Sequence, residues 1–185
     1  MTWQDELIVR LKQFEGSVSH MYLDSVGLVT VGVGSLLRKV EDALPLPFVI
    51  RSSGEVAPQK MIRDEWEQLK AMGQNNNAAS YFKKFTLLDL PEQAINDQVQ
   101  AHTVDFLQGL RKNIENLDSY PDQALLALLD MTFNLGLSGV LRKFPSFVKA
   151  FRAQDWSSCQ KECNRLGISV DRNDYVKGLF GQLMA

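Results

Sequence analysis

Apolar residues recur at helical spacing at the start of the chain, where Leu7, Ile8, Leu11 and Phe14 share one face. Thr2 offers an N-cap oxygen, Asp5 is the acid three residues on, and Gly16 suits the position just past the last turn. This pattern predicts a first helix with Glu15 in its last turn or just beyond. Residues 21–34 read differently. The run from Leu28 to Val33 is β-branched and punctuated by glycine, and Ser25-Val26-Gly27 is a turn signal. A short hairpin follows, with Tyr22 to Asp24 entering it and Leu28 to Gly32 returning. Gly32 and Gly34 weaken a strand and predict close backbone approach or a bend there.

Residues 38–86 are broken by Pro45, Pro47, Ser52-Ser53-Gly54 and Asn75-Asn76-Asn77. Between the breaks, 58–72 is amphipathic and carries Met61, Ile62, Trp66 and Leu69. The expectation is a loop, a helix and another loop, with Trp66 at least partly buried. From residue 87 on the chain reads as helical. Pro91 suits the first position of a long helix to about Leu110, with Ile95, Val99, Phe106, Leu107 and Leu110 inward. Pro121-Asp122 opens a helix that is apolar on nearly all sides, as a buried central helix is, and Gly136 ends it. Further helices are expected from Pro145, over 155–166 and over 174–183. No internal repeat is visible. The fold class is α+β, a small β-hairpin lobe plus a larger helical lobe.

Length and charge narrow the functional classes. A chain of 185 residues accommodates one domain, or one domain with a small lobe. No window approaches the roughly 18 uninterrupted apolar residues of a membrane span, and the first residues lack the apolar core of a signal peptide. The 20 basic and 22 acidic residues leave a net charge of −2, which argues against a nucleic-acid binder. Cys159 and Cys163 lie four apart, a poor spacing for a disulfide within a helix. With only His20 and His102 elsewhere, they make no metal set. The reading is two reduced, partly packed thiols, with a strained or redox-active bridge as the alternative, and no metal or cofactor.

The candidate chemistry lies in the first thirty residues. A glutamate at a helix end, an aspartate entering a hairpin and a threonine on its return strand make a two-carboxylate site: Glu15, Asp24 and Thr30. Hydrolysis of a glycosidic bond needs a proton donor on the leaving oxygen and a carboxylate on the opposite face of the sugar. The negative end of the helix dipole would help keep Glu15 protonated, and Thr30 could orient a water held by Asp24. Singly, each residue has a plainer reading, as a solvated charge, a turn residue and a strand former.

Together they carry a resemblance. Glu15-Gly16, Tyr22-Leu23-Asp24, Gly27 and Thr30-Val31-Gly32-Val33-Gly34 resemble the active-site segment of the phage T4-type lysozymes. The resemblance continues through the central helix and its Asn134-Leu135-Gly136 end, Gly139, Phe144, Trp156 and Arg172-Asn173. It implies a single lysozyme-like domain over 1–185. It also implies a muramidase, which hydrolyses the β-1,4 bond between N-acetylmuramic acid and N-acetylglucosamine with inversion. In that reading Glu15 is the general acid, Asp24 is the base-like carboxylate holding the water, and Thr30 assists it. Tyr22, Asn134 and Arg172 fall at substrate-side positions, and Arg172 is also a candidate partner for Glu15. For Asn134 the plain alternative is a helix cap, and for Arg172 a surface charge.

The chain departs from the family pattern in three places. The family's histidine after the second hairpin glycine is Ser35, and the acid it pairs with falls near His102. The pair is therefore rebuilt as Ser35–His102 or lost, with His102 by itself read as a structural histidine. Residues 38–86 are longer than the family's link and read as an appendage beside the hairpin lobe, one whose shortening would spare the acid–base chemistry. The mild acidity leaves room for an antibacterial effector held by an immunity protein as well as for an endolysin. Either would be a monomer made in the cytoplasm and carried to peptidoglycan by other machinery. The competing readings are a non-catalytic peptidoglycan-binding module and, less favoured because 58–72 has little cationic character, a membrane-active protein.

Overall fold

The computed structural model describes residues 2–74 and 76–184, so Asn75 of the expected break lies outside the described residues. The chain divides into two compact units, residues 11–99 and residues 1–10 with 100–185. The first helix, α1 (Trp3–Glu15), begins as its sequence predicts. The Thr2 and Asp5 side chains cap each other's backbone N–H groups at 3.2 and 2.9 Å.

In the 11–99 unit the expected hairpin is a three-stranded antiparallel sheet of β1 (Val18–Leu23), β2 (Val29–Gly32) and β3 (Ser35–Leu36). β1 starts earlier than the apolar pattern suggests because its polar residues find distant partners. The Ser19 hydroxyl donates to Asp89 at 2.9 Å, and His20 Nε2 lies 3.0 Å from the Ala79 carbonyl. Burial holds the His20 imidazole below its ordinary pKa. Met21, Leu23, Val29 and Val31 fill the core side of the sheet. Gly32 has φ +67°, and a Cβ there would lie 2.9 Å from Gln98 Oε1, the close approach its sequence predicts. Gly34, at φ +72° with nothing near, marks the bend instead.

Residues 38–86 differ most from the expected loop–helix–loop. They contain α2 (Val40–Ala43), β4 (Val49–Ile50), α3 (Gln59–Ala71) and a 3-10 turn at Ala79–Phe85. β4 pairs with β5 (Leu88–Asp89), Val49 opposite Asp89 and Ile50 opposite Leu88, and makes a second sheet that sequence reading did not foresee. Pro45 and Pro47 stay outside the strand, where their missing donors do no harm. Phe48, Ile62, Leu69 and Phe82 are buried, and half-buried Trp66 donates its indole N–H to the Leu37 carbonyl at 3.1 Å. The segment is therefore part of this unit's core.

α4 (Glu92–Arg111) begins one residue after Pro91, and the boundary between the units falls within it at 99/100. The other unit is built around α5 (Asp122–Leu135), in which Ala124 to Thr132 are all buried, as its sequence predicts. α6 (Leu137–Lys143) was not expected, whereas α7 (Pro145–Arg152) starts at its proline. α8 (Trp156–Glu162) is shorter than 155–166, and α9 (Val170–Gln182) starts earlier than 174. The Ser169 cap explains the early start, since its hydroxyl accepts the Arg172 N–H at 3.3 Å. Phe147, Phe151, Trp156 and Phe180 interlock as an aromatic cluster with ring centroids 5.7–6.4 Å apart. Cys159 and Cys163 are buried and unbridged, and burial pushes the Cys159 thiol up to about 12. No single helix among the described residues is long and apolar enough to cross a membrane.

Candidate active site

Three of the expected site residues are placed together by local geometry in the 11–99 unit. Tyr22 and Thr30 are directly paired across β1 and β2, so their side chains share a face of the sheet. Asp24, two residues beyond Tyr22, begins the turn. Its backbone N–H donates to the Leu28 carbonyl at 3.0 Å, and its Oδ1 accepts the N–H groups of Val26 and Leu28 at 3.0 and 2.8 Å. Thus the turn-residue reading of Asp24 holds, and the turn fixes one carboxylate oxygen. Among the described residues Oδ2 has no hydrogen-bond partner.

Thr30 is 2% exposed, and its hydroxyl donates to the Leu28 carbonyl at 3.1 Å. With the proton committed there, the Oγ1 lone pairs are its remaining capacity, so Thr30 accepts. Glu15 ends α1 as an exposed residue, and the chain turns away at Gly16 with φ +78°. Tyr22 links the carboxylates electrostatically. Burial first, then the charge of Asp24, then that of Glu15, raises its hydroxyl above the ordinary tyrosine pKa. Both carboxylates are therefore felt at one phenol.

Asn134 and Arg172 lie in the other unit. Asn134 sits in the last turn of α5, half-buried. Arg172 is not a surface charge, being 3% exposed in the first turn of α9. Its Nε lies 3.2 and 3.1 Å from the two oxygens of buried Asp130, which also takes Arg165 Nη1 at 2.8 Å. The Asn173 side chain holds the Arg165 backbone N–H and carbonyl at 3.0 and 2.8 Å. The sequence held no local signal for this network, since its hydrogen-bonded partners are up to 42 residues apart. Ser35 is buried in β3, whereas His102 is exposed on α4, which overturns its reading as a structural histidine. Among the described residues no group of three His, Cys, Asp or Glu could hold a metal.

A small antiparallel sheet with a threonine on one strand and an aspartate opening its first turn, a glutamate at the end of the preceding helix and a second unit around a buried helix, is the lysozyme-like form of the α+β class. The family model described as phage lysozyme matches residues 12–181, and the chain belongs to that family. Its general activity is peptidoglycan lysis by a muramidase, a glycoside hydrolase. No curated protein matches the chain.

Proposed function

We propose that the chain hydrolyses the β-1,4 bond between N-acetylmuramic acid and N-acetylglucosamine with inversion, the two units acting as one lysozyme-like domain. The observation that supports this reading is the direct pairing of Tyr22 with Thr30 across the sheet, beside a turn that fixes one oxygen of Asp24 and just after the helix that Glu15 ends. Glu15 protonates the leaving oxygen. Asp24 Oδ2 and Thr30 Oγ1 are both acceptors, so a water that donates to each turns its own lone pair outward, toward the anomeric carbon. As the water attacks, Asp24 takes its proton. Tyr22, Asn134 and Arg172 are the substrate-side residues of this reading. The substrate is the glycan strand in the periplasm or cell wall. The chain serves as a phage endolysin or as a delivered antibacterial effector with an immunity protein. Mass spectrometry of muropeptides released by the unmodified chain and by Glu15→Gln tests the bond and the acid together. Reducing ends on N-acetylmuramic acid, lost in the variant, are expected; products ending in N-acetylglucosamine would overturn the bond assignment.

A further inference from the structure

The turn that carries Asp24 is gripped from outside by the segment in which this chain departs from its family. Lys70, in the last turn of α3, donates from Nζ to the Gly27 carbonyl at 3.2 Å. Gln74, just past that helix, donates from Nε2 to the Ser25 carbonyl at 3.0 Å. Gly27, at φ +77°, packs so closely against this segment that a Cβ on it would meet the Gln74 backbone at 3.0 Å.

These two carbonyls have particular partners. A peptide unit is planar, with its C=O and the following N–H pointing in opposite directions. The Ser25 carbonyl shares its plane with the Val26 N–H, and the Gly27 carbonyl shares its plane with the Leu28 N–H. Those are the two N–H groups on Asp24 Oδ1, at 3.0 and 2.8 Å. Each plane is therefore held at both ends, by the catalytic carboxylate on one side and by a side chain from α3 or its C-terminal turn on the other.

We propose that Lys70 and Gln74 are positioning residues for Asp24, fixing the two peptide planes that aim its carboxylate. This rests on the reading of Asp24 as the water-holding carboxylate. A peptide whose carbonyl accepts a hydrogen bond is the stronger N–H donor, and the positive charge of Lys70 adds to that polarisation. With Oδ1 clamped in this way, the direction of Oδ2, and hence of the water it holds, is set by residues that touch neither water nor sugar.

The test uses the full chain with Lys70→Met, Gln74→Met and both together. Turnover of soluble peptidoglycan glycan and the backbone amide proton resonances are measured in each. The expected result for each single change is a kcat about three- to ten-fold lower with KM within about twofold, since orientation of the reacting water is lost and sugar binding is not. The Val26 resonance should move upfield in Gln74→Met and the Leu28 resonance in Lys70→Met, as their hydrogen bonds to Asp24 weaken. Lys70→Arg, which keeps charge and donor, should restore most of kcat. Unchanged kcat in the double variant would overturn the proposal. So would a fall in kcat with both resonances unmoved, or a Lys70→Arg chain no better than Lys70→Met. If the unmodified chain releases no muropeptides, the muramidase reading fails; the resonances still report on the grip, and their failure to move overturns it independently.

Discussion

Glu65 sets up a pH dependence of stability whose sign and size follow from its surroundings. The side chain is 6% exposed on α3, and its Oε2 accepts the N–H groups of Leu87 and Leu88 at 2.7 and 3.2 Å. Its Oε1 is buried without a hydrogen-bond partner among the described residues. Burial pushes its pKa from 4.5 to about 7, against the pull of those two N–H groups and of Arg51. Such a displacement corresponds to about 2–3 kcal/mol in favour of the protonated form. Between the unfolded and folded pKa values the folded chain holds a proton that the unfolded chain has released. Stability therefore falls as pH rises from about 4.5 to 7 and is flat above. Glu65→Gln keeps an acceptor for Leu87 and Leu88 but cannot ionise. Its amide nitrogen sits unpartnered where Oε1 was, at a fixed cost of about 1–3 kcal/mol that does not depend on pH. The stability difference between variant and unmodified chain should thus shift by about 2–3 kcal/mol in favour of the variant between pH 5 and pH 8. Urea unfolding followed by tryptophan fluorescence at several pH values measures it. Parallel stability curves for the two proteins, within about 0.5 kcal/mol, would refute the reasoning.

Four further outcomes are expected. Glu15→Gln should remain folded by circular dichroism and lose about 10²–10⁴ of its turnover of peptidoglycan. Thr30→Val, which keeps shape and removes the acceptor, should lower kcat by about tenfold or more, while Thr30→Ser retains most of it; equal activity of the two would remove the hydroxyl from the mechanism. Asp130→Ala leaves two buried guanidinium groups without their carboxylate and should cost about 3–5 kcal/mol, read as a fall in Tm by calorimetry. A chain joining Leu37 to Leu87 by a short Gly/Ser bridge should lose activity, because it removes Lys70, Gln74 and the buried Phe48, Ile62, Leu69 and Phe82; activity like that of the intact chain would show that the 11–99 unit folds and works without them.

What the sequence made legible is what local interactions decide. The Thr2–Asp5 cap, the turn at residues 25–27, the proline starts and the all-apolar face of α5 depend on residues a few positions apart, and the structure repeats them. The pairing of Val49–Ile50 with Leu88–Asp89 depends on residues nearly forty apart, and two-residue strands leave no alternation to read. The same holds for Glu65, an unremarkable helix acid until Leu87 and Leu88 cover it. At the site, the residue types of Glu15, Asp24 and Thr30 were visible, as was the turn. The direction in which Thr30 spends its proton, and the reach of Lys70 and Gln74 to the turn, required the folded backbone. The contacts that 38–86 makes were hidden for the same reason, since proline and glycine breaks reveal where a helix stops and not what the pieces touch.

The pairing of Ile50 with Leu88 also bears on how such a chain changes over generations. The stretch between them starts and finishes at neighbouring points of one small sheet, so its gain or loss would leave the two flanking ends already side by side. Once its helix holds the carbonyls of the hairpin turn, the exchange ceases to be neutral. Later substitutions in the turn are selected in the presence of Lys70 and Gln74, and removal exposes whatever has come to depend on them. A segment easy to accommodate at its two ends would thereby be hard to remove.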